Sequence, residues 1–341
     1  MKQRAVSLHH DASASSLGLA RVLVFSIWFW QLAVDPIERL ADLSTSAFAP
    51  PGVLRVVPGG IWDLILEPSV LLAFKAGLLM ALLLVILGAT RSRVLLGLTV
   101  SGLVLYQGVV RGFSGHMNHA ELALLYISML FVFFPVFDGL TIRTLRVIRW
   151  KPAGTDRATA GHAPYVTALL VACLLLSLTY FFVGAVRLWK GIHLFGTPAL
   201  RDLIAGFSLQ DGQFDGSAII PLGVPSAALS LPLWALQVAF IAATMLELSA
   251  PLAVFSRRLR PLIVISLVVF HVSIWAFMNV PFPENMCLLV LLSGSWFNRI
   301  AARLDQATPD PWSAISRPSH AHSTEEPVSS HRLAPAEPDS S

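Results

Sequence analysis

The chain has 341 residues, of which 55% are hydrophobic and only 13% charged, about half the charged share of an ordinary soluble domain. A net charge of +4 would point a soluble protein toward nucleic acid, but the basic residues here lie between apolar runs, the pattern that sets membrane topology. Composition therefore excludes a nucleic-acid partner and a water-soluble globule, and leaves an all-α integral membrane protein in contact with lipid. The two cysteines, Cys173 and Cys287, sit inside apolar runs without metal-site spacing, which excludes a disulfide framework.

The polar start "MKQRAVSLHHDASASS" is read as a short cytoplasmic segment, residues 1–16. The run that follows ends in "AVDPIERL" without a small-residue cleavage site, the pattern of a retained anchor. A hydrocarbon core of about 30 Å takes roughly twenty apolar residues per helix. Runs near that length cover 17–34, 68–89, 94–111, 119–138, 165–187, 232–255, 259–280 and 284–297. They predict a polytopic bundle of about eight transmembrane helices over 17–297. The tail 298–341 turns rich in Pro, Ser, His and acidic residues and is expected to be disordered.

Basic residues orient the bundle. Fourteen Arg and Lys fall on one side, in the segments around Lys2, Arg91, Arg143, Arg257 and Arg299, and six on the other: Arg39, Arg55, Arg111, Arg187, Lys190 and Arg201. By the positive-inside rule both termini are expected in the cytoplasm. In the outer loop 188–231, Leu200, Leu203, Ile204 and Phe207 fall on one face of a short helix. No repeat, nucleotide loop or hydrolase elbow occurs.

Polar residues inside apolar runs are the candidate site, because lipid makes them costly. In "FSGHMNHAEL" His116, Asn118 and His119 open the fourth run. The pair His116/His119 has a helical spacing, but zinc asks for a third protein ligand and only Glu121 is near, so no metal is expected. Capping and interfacial solvation account for the same residues. In the fifth run Tyr180, Gly184 and Arg187 share a face. The alternative is a packing glycine with an arginine reaching for the surface. Glu247 and His271 lie deep in successive helices at depths about one turn apart. They are expected to hydrogen-bond to each other, as a structural clamp or as part of an active site. Lys75 is expected to reach outward or to pair with a carboxylate of an outer loop.

Several segments, in order, resemble the HTTM membrane domain, the prokaryotic relatives of vitamin K-dependent gamma-glutamyl carboxylase. "LARVLVFSIWFWQLAVDPIERL" resembles that family's first span, with Arg21 at its arginine. "MNHAELALLYISMLFVFFPVFDG" is similar to its Asn-His helix, "YFFVGAVRLWKGIHLFGTPAL" to its Tyr-Phe-x-x-Gly-x-x-Lys-Leu helix, and "LELSAPLAVF…LVVFHVSIW" to its Glu-Leu and Phe-His pair. The resemblance implies that His119, after Asn118, and the residue at the lysine position act on a reduced quinone. That position here is Arg187, and arginine does not release its proton near neutral pH. Lys190 stands one turn further on. The family's following Asp-Trp is replaced by "GIHLF", and no large outer domain follows in this sequence, so gamma-carboxylase activity is not expected.

Three functions follow. The first is a membrane binding or maturation factor for an exported peptide or a redox partner. The second is a membrane redox enzyme acting on a lipophilic quinone, with His119, Lys190 and His271 as catalytic residues and Asn118, Tyr180, Arg187 and Glu247 as ligand-binding residues. A transporter comes last, since no spans are interrupted in corresponding halves. In the shared outward-opening cavity Asn118, His119, Arg187 and Lys190 would line the mouth and His271 the floor, which suits an anionic or quinol-type ligand.

Overall fold

A computed structural model of the protein describes residues 8–9, 11–89, 92–114, 119–141, 162–191, 199–202, 231–278 and 282–306. All of them belong to one compact unit, Met1–Thr308; the second unit, Pro309–Ser341, and with it most of the expected tail, lies outside the described residues. Among the described residues there are helices and turns but no strand.

The helices follow the apolar runs in order: α1 Ala14–Val34, α2 Gly59–Ile65, α3 Pro68–Leu87, α4 Arg93–Ser114, α5 His119–Phe131, α6 His162–Gly191, α7 Leu233–Ser249, α8 Leu252–Phe255, α9 Arg260–Met278, α10 Pro283–Leu288 and α11 Ser295–Gln306. Five of them, α1, α3, α4, α6 and α9, are long and apolar enough to cross a membrane. The other three predicted runs form shorter apolar helices, and each stops for a local reason. The 119–138 run leaves helix at Phe131 and passes into turns around Pro135, which has no amide proton to donate. The 232–255 run breaks at Ala250–Pro251. The last run divides into α10, a 3-10 stretch Leu289–Ser293, and a left-handed Gly294 with φ 61°.

Side chains from most helices meet in one apolar core that includes Phe25, Trp28, Leu82, Leu124, Phe131, Leu176, Leu267 and Leu292. The opposite faces are also apolar. On α7 Trp234, Val238, Ile241 and Met245 are exposed, and on α9 Leu262, Ile265, Val269 and Val272. Each set recurs every three to four residues, one face of a helix. Helices apolar on both faces suit hydrocarbon rather than water.

Arg21 ties three segments together. Its side chain is fully buried and donates to the carbonyls of Val136 at 2.8 Å and Leu140 at 2.6 Å, with Ile86 at 3.4 Å, and its guanidinium lies 5.1 Å from the centre of the Phe137 ring. Carbonyls at the end of α3 and after α5, which have no partner further along a helix, are thereby satisfied. Gly18, one turn earlier, lets α1 approach the backbone of Gly139 more closely than any Cβ would allow.

Near the other end of α1, Lys75 donates to the Asp35 carbonyl at 2.6 Å and to Glu38 at 3.3 Å, the carboxylate pairing expected of it. Tyr106 donates to Asp35 Oδ2 at 2.6 Å. Arg111 is buried and paired with Glu121 across α4 and α5, which commits the carboxylate closest to the histidine pair.

Two boundaries differ from the sequence reading. Leu8, His9 and Ala12 of the polar N-terminal segment are buried. His9 Nδ1 faces Asn298 Oδ1 at 3.2 Å, and its Nε2 faces the Leu291 carbonyl at 3.1 Å and Cys173 Sγ at 3.4 Å. Beyond residue 297, α11 continues with Asn298 and Ala301 buried and Arg299 facing outward. A segment too polar for a span still buries one face when its polar groups find partners. Of the short helix expected at 200–207, residues 199–202 are described, with Leu200 buried.

Candidate polar cavity between helices 6, 7, 9 and 10

Helix α6 is the spine of the candidate site. Its 30 residues extend about 45 Å, enough to pass through a bilayer and carry its last turns beyond. Tyr180, Gly184 and Arg187 stand on one face, as their spacing requires. Gly184 faces α7, where a Cβ would come within 3.0 Å of both Glu247 Cβ and the Leu248 amide nitrogen. A glycine here brings the two backbones close, so the arginine one turn further on reaches the glutamate.

Arg187 Nη2 lies 3.0 Å from Glu247 Oε1. Glu247 is 2% exposed, and its charge is balanced by the guanidinium. Arg187 also lies over the Phe270 ring, 5.7 Å from its centre, which gives the cation an apolar and polarisable lid. His271, 3% exposed, makes its hydrogen bond with Tyr180: Nε2 to Oη is 2.6 Å. The rings of Phe270 and Phe282 pack against the imidazole at 5.4 Å and 5.5 Å.

The expected Glu247–His271 hydrogen bond does not form. Among the described residues, Oε2 of Glu247 and Nδ1 of His271 have no hydrogen-bond partner; Glu247 pairs with Arg187 and His271 with Tyr180, both on α6. Depth alone placed the two together. Azimuth about the helix axes, which depth does not encode, points both toward α6.

Tyr180, Arg187, Glu247 and His271 line one cavity of about 100 Å³, together with Phe270, Phe282, Ile274 and Asn285. Asn285 is 8% exposed, and its Oδ1 also has no partner. Three lining residues thus carry a buried polar atom with no partner among the described residues, each of which costs about 1–3 kcal/mol when nothing meets it.

Four of the seven expected site residues therefore converge: Tyr180, Arg187, Glu247 and His271. Lys190 does not join them. It is exposed near the end of α6 and lines no part of the cavity. Asn118 lies outside the described residues, as does the His119 side chain; His119 itself is the first residue of α5, which packs on α6 and α10. No group of three or more His, Cys, Asp or Glu able to hold a metal occurs among the described residues. The sequence reading missed Asn285 and Phe282. The signal was the polar pair Glu284–Asn285 opening the last apolar run; both are buried.

Fold and cavity together define a helical-bundle protein, with helices long and apolar enough to cross a membrane and a small, mostly apolar cavity beside a buried ion pair. No protein-family model, curated protein or solved structure matches the chain.

Proposed function

We propose that the protein is an eight-span inner-membrane binding factor of the HTTM type, with both termini in the cytoplasm, whose cavity holds part of an exported peptide during its maturation. The topology rests on the 14 to 6 distribution of basic residues, and the family on the ordered motifs around Arg21, Asn118–His119, Tyr180–Arg187 and Glu247–His271. A reporter fused after Asp305 is expected to be active as a cytoplasmic fusion, and one placed near Gly212 as an external one.

The observation that carries the binding reading is the convergence of Tyr180, Arg187, Glu247, His271 and Asn285 on one cavity of about 100 Å³ between the helices. Buried polar side chains gathered on one cavity fix the orientation of what enters it, whereas an empty cavity in a packed core is lined by apolar groups alone. Binding is favoured over catalysis because Arg187, which stands at the family's lysine position, is held by Glu247 and is not a proton acceptor. Lys190 stands outside the cavity.

The competing reading, redox chemistry on a lipophilic quinone, draws on the Tyr180–His271 hydrogen bond, which joins a phenol and an imidazole able to pass a proton. Size weighs against it. A cavity of about 150 Å³ holds an unsubstituted benzene ring, and this one is about 100 Å³.

The protein, purified in mild detergent and then denatured, should release peptide material detectable by mass spectrometry, and Asn285→Leu should release much less. Stoichiometric quinone in the extract, unchanged in the variant, would replace this reading with the redox one.

A further inference from the structure

We infer that the protein binds anionic phospholipid at the end of the bundle where α9 begins: α11 lies in the membrane surface there, and its arginines, with the Arg257–Arg258 pair before α9, hold the head groups. The inference is independent of the cavity and rests only on the reading of the bundle as membrane-spanning. Composition assigns residues from 298 onward to a disordered tail, yet α11 continues as helix to Gln306, and the bundle fixes where it lies. Asn298 donates to Asp11 at 2.6 Å and faces His9, so the middle of α11 packs against the segment that leads into α1. Its start is tied to the start of α9, where a Cβ on Gly294 would come within 3.1 Å of Arg260 Nη1. Arg260 in turn donates to the Ala253 carbonyl at 2.9 Å. The short helix α8, the first turn of α9 and α11 therefore share one end of the bundle.

The side chains of α11 sort into sectors. Phe297, Asn298 and Ala301 are buried against the bundle. Trp296, Ile300 and Leu304 recur every four residues as an apolar stripe beside that buried face, with Trp296 51% and Leu304 45% exposed. Arg299 and Arg303, also four apart, are exposed along the other edge of the stripe, and Ala302 is exposed on the side away from it. An apolar stripe flanked by arginines is the pattern of a helix lying in the interface, with tryptophan at head-group depth. The turn before α9 carries the same combination. Arg257 and Arg258 are exposed between Phe255 and Leu259, themselves exposed, and the apolar surface runs on into Leu262 and Ile265 of α9, the face suited to hydrocarbon. These arginines stand where that face ends. Among the described residues Arg257, Arg258, Arg299 and Arg303 make no ion pair. Anionic head groups supply the counter-charge, and a guanidinium meets phosphate oxygens with two parallel N–H bonds. A soluble acidic partner would answer the charges but not the apolar residues between them, so lipid is the occupant.

The test reconstitutes the full chain in phosphatidylcholine vesicles carrying spin-labelled phosphatidylglycerol or spin-labelled phosphatidylcholine, and reads by electron paramagnetic resonance how much of each the protein immobilises. The wild-type protein is expected to prefer phosphatidylglycerol at least twofold and to lose most of that preference at about 1 M salt, where exposed charges are screened. Arg257→Gln/Arg258→Gln/Arg299→Gln/Arg303→Gln should remove at least half of it. Arg39→Gln/Arg55→Gln, at two exposed arginines beyond the far end of α1, should leave it unchanged. No preference in the wild type, an unchanged preference in the fourfold variant, or an equal loss in the control pair would each overturn the site. A nitroxide at Leu304→Cys, in a Cys287→Ser background, should be reached better by oxygen than by a water-soluble nickel chelate, and one at Ala302→Cys the reverse; equal access at both would take α11 off the membrane surface. Should the fourfold variant fail to fold, the salt response and the two nitroxides decide. A chain that alkaline carbonate strips from the vesicles would overturn the membrane reading itself, whereas a chain that stays inserted without lipid preference overturns this inference alone.

Discussion

Arg187 on α6 and Glu247 on α7 form an ion pair at 3.0 Å, and one turn before it Gly184 lies against the same stretch of α7. The close approach and the ion pair depend on each other. Without the glycine the helices stand further apart. Without the arginine, a carboxylate that is 2% exposed has no counter-charge.

Removing one partner is therefore expected to cost more than removing both. Arg187→Met leaves Glu247 buried and uncompensated, at about 2–3 kcal/mol, below the range for a fully enclosed pair because the Arg187 side chain is 26% exposed. Arg187→Met/Glu247→Met should cost less than the two single changes summed. Denaturant titration in detergent measures the coupling, and additive losses would mean that the pair contributes nothing.

Gly184→Leu should destabilise by about 1–3 kcal/mol through overpacking. It should also reduce ligand binding, because the displaced α7 carries Glu247 out of the cavity. Gly77, inside α3 with nothing near its Cβ position, provides the control: Gly77→Ala is expected to raise stability by about 0.5–1 kcal/mol through helix propensity and to leave binding unchanged.

Arg21→Met should lower stability by about 3 kcal/mol or more, since hydrogen bonds from a charged donor contribute about 1.5–3 kcal/mol each and two short ones to carbonyls are lost. Arg21→Lys should recover part of this, because a single ammonium reaches fewer carbonyls than a planar guanidinium. Full rescue by lysine would show that charge alone matters at this position.

Burial pushes the His9 imidazole below its usual value, against the opposing effect of its hydrogen bonds to Asn298 and the Leu291 carbonyl. The folded state thus favours neutral His9 more than the unfolded state does. Its stabilising contribution is present above about pH 6.5, the unfolded value, and is lost as pH falls toward the lower folded value. Asp11 and Arg260 act on it in opposite directions. The melting midpoint of the wild-type protein should fall between pH 7.5 and pH 5.5. For His9→Gln, which keeps a polar group able to meet Asn298, it should fall less. Parallel curves for the two proteins would remove His9 from the pH response.

Hydropathy made the helices legible in the sequence, because burial in lipid or in a core asks for apolar side chains at every turn. Helix ends were less legible. Pro135 and Pro251 stop helices inside runs that hydropathy reads as continuous, and His9 and Asn298 are buried although their segments are polar. The helical face shared by Tyr180, Gly184 and Arg187 followed from spacing alone, and so did the depth of Glu247 and His271.

Which of these polar residues would be partners was decided by tertiary structure. Spacing along one chain gives height on a helix and angle around it, but not which neighbouring helix that angle meets. The close approach at Gly184 assigned Glu247 to Arg187, and the long side chains of Tyr180 and His271 meet across the space between α6 and α9 at 2.6 Å. Asn285 entered the cavity because α10 packs beside α9, a contact between segments whose own sequences carry no mark of each other.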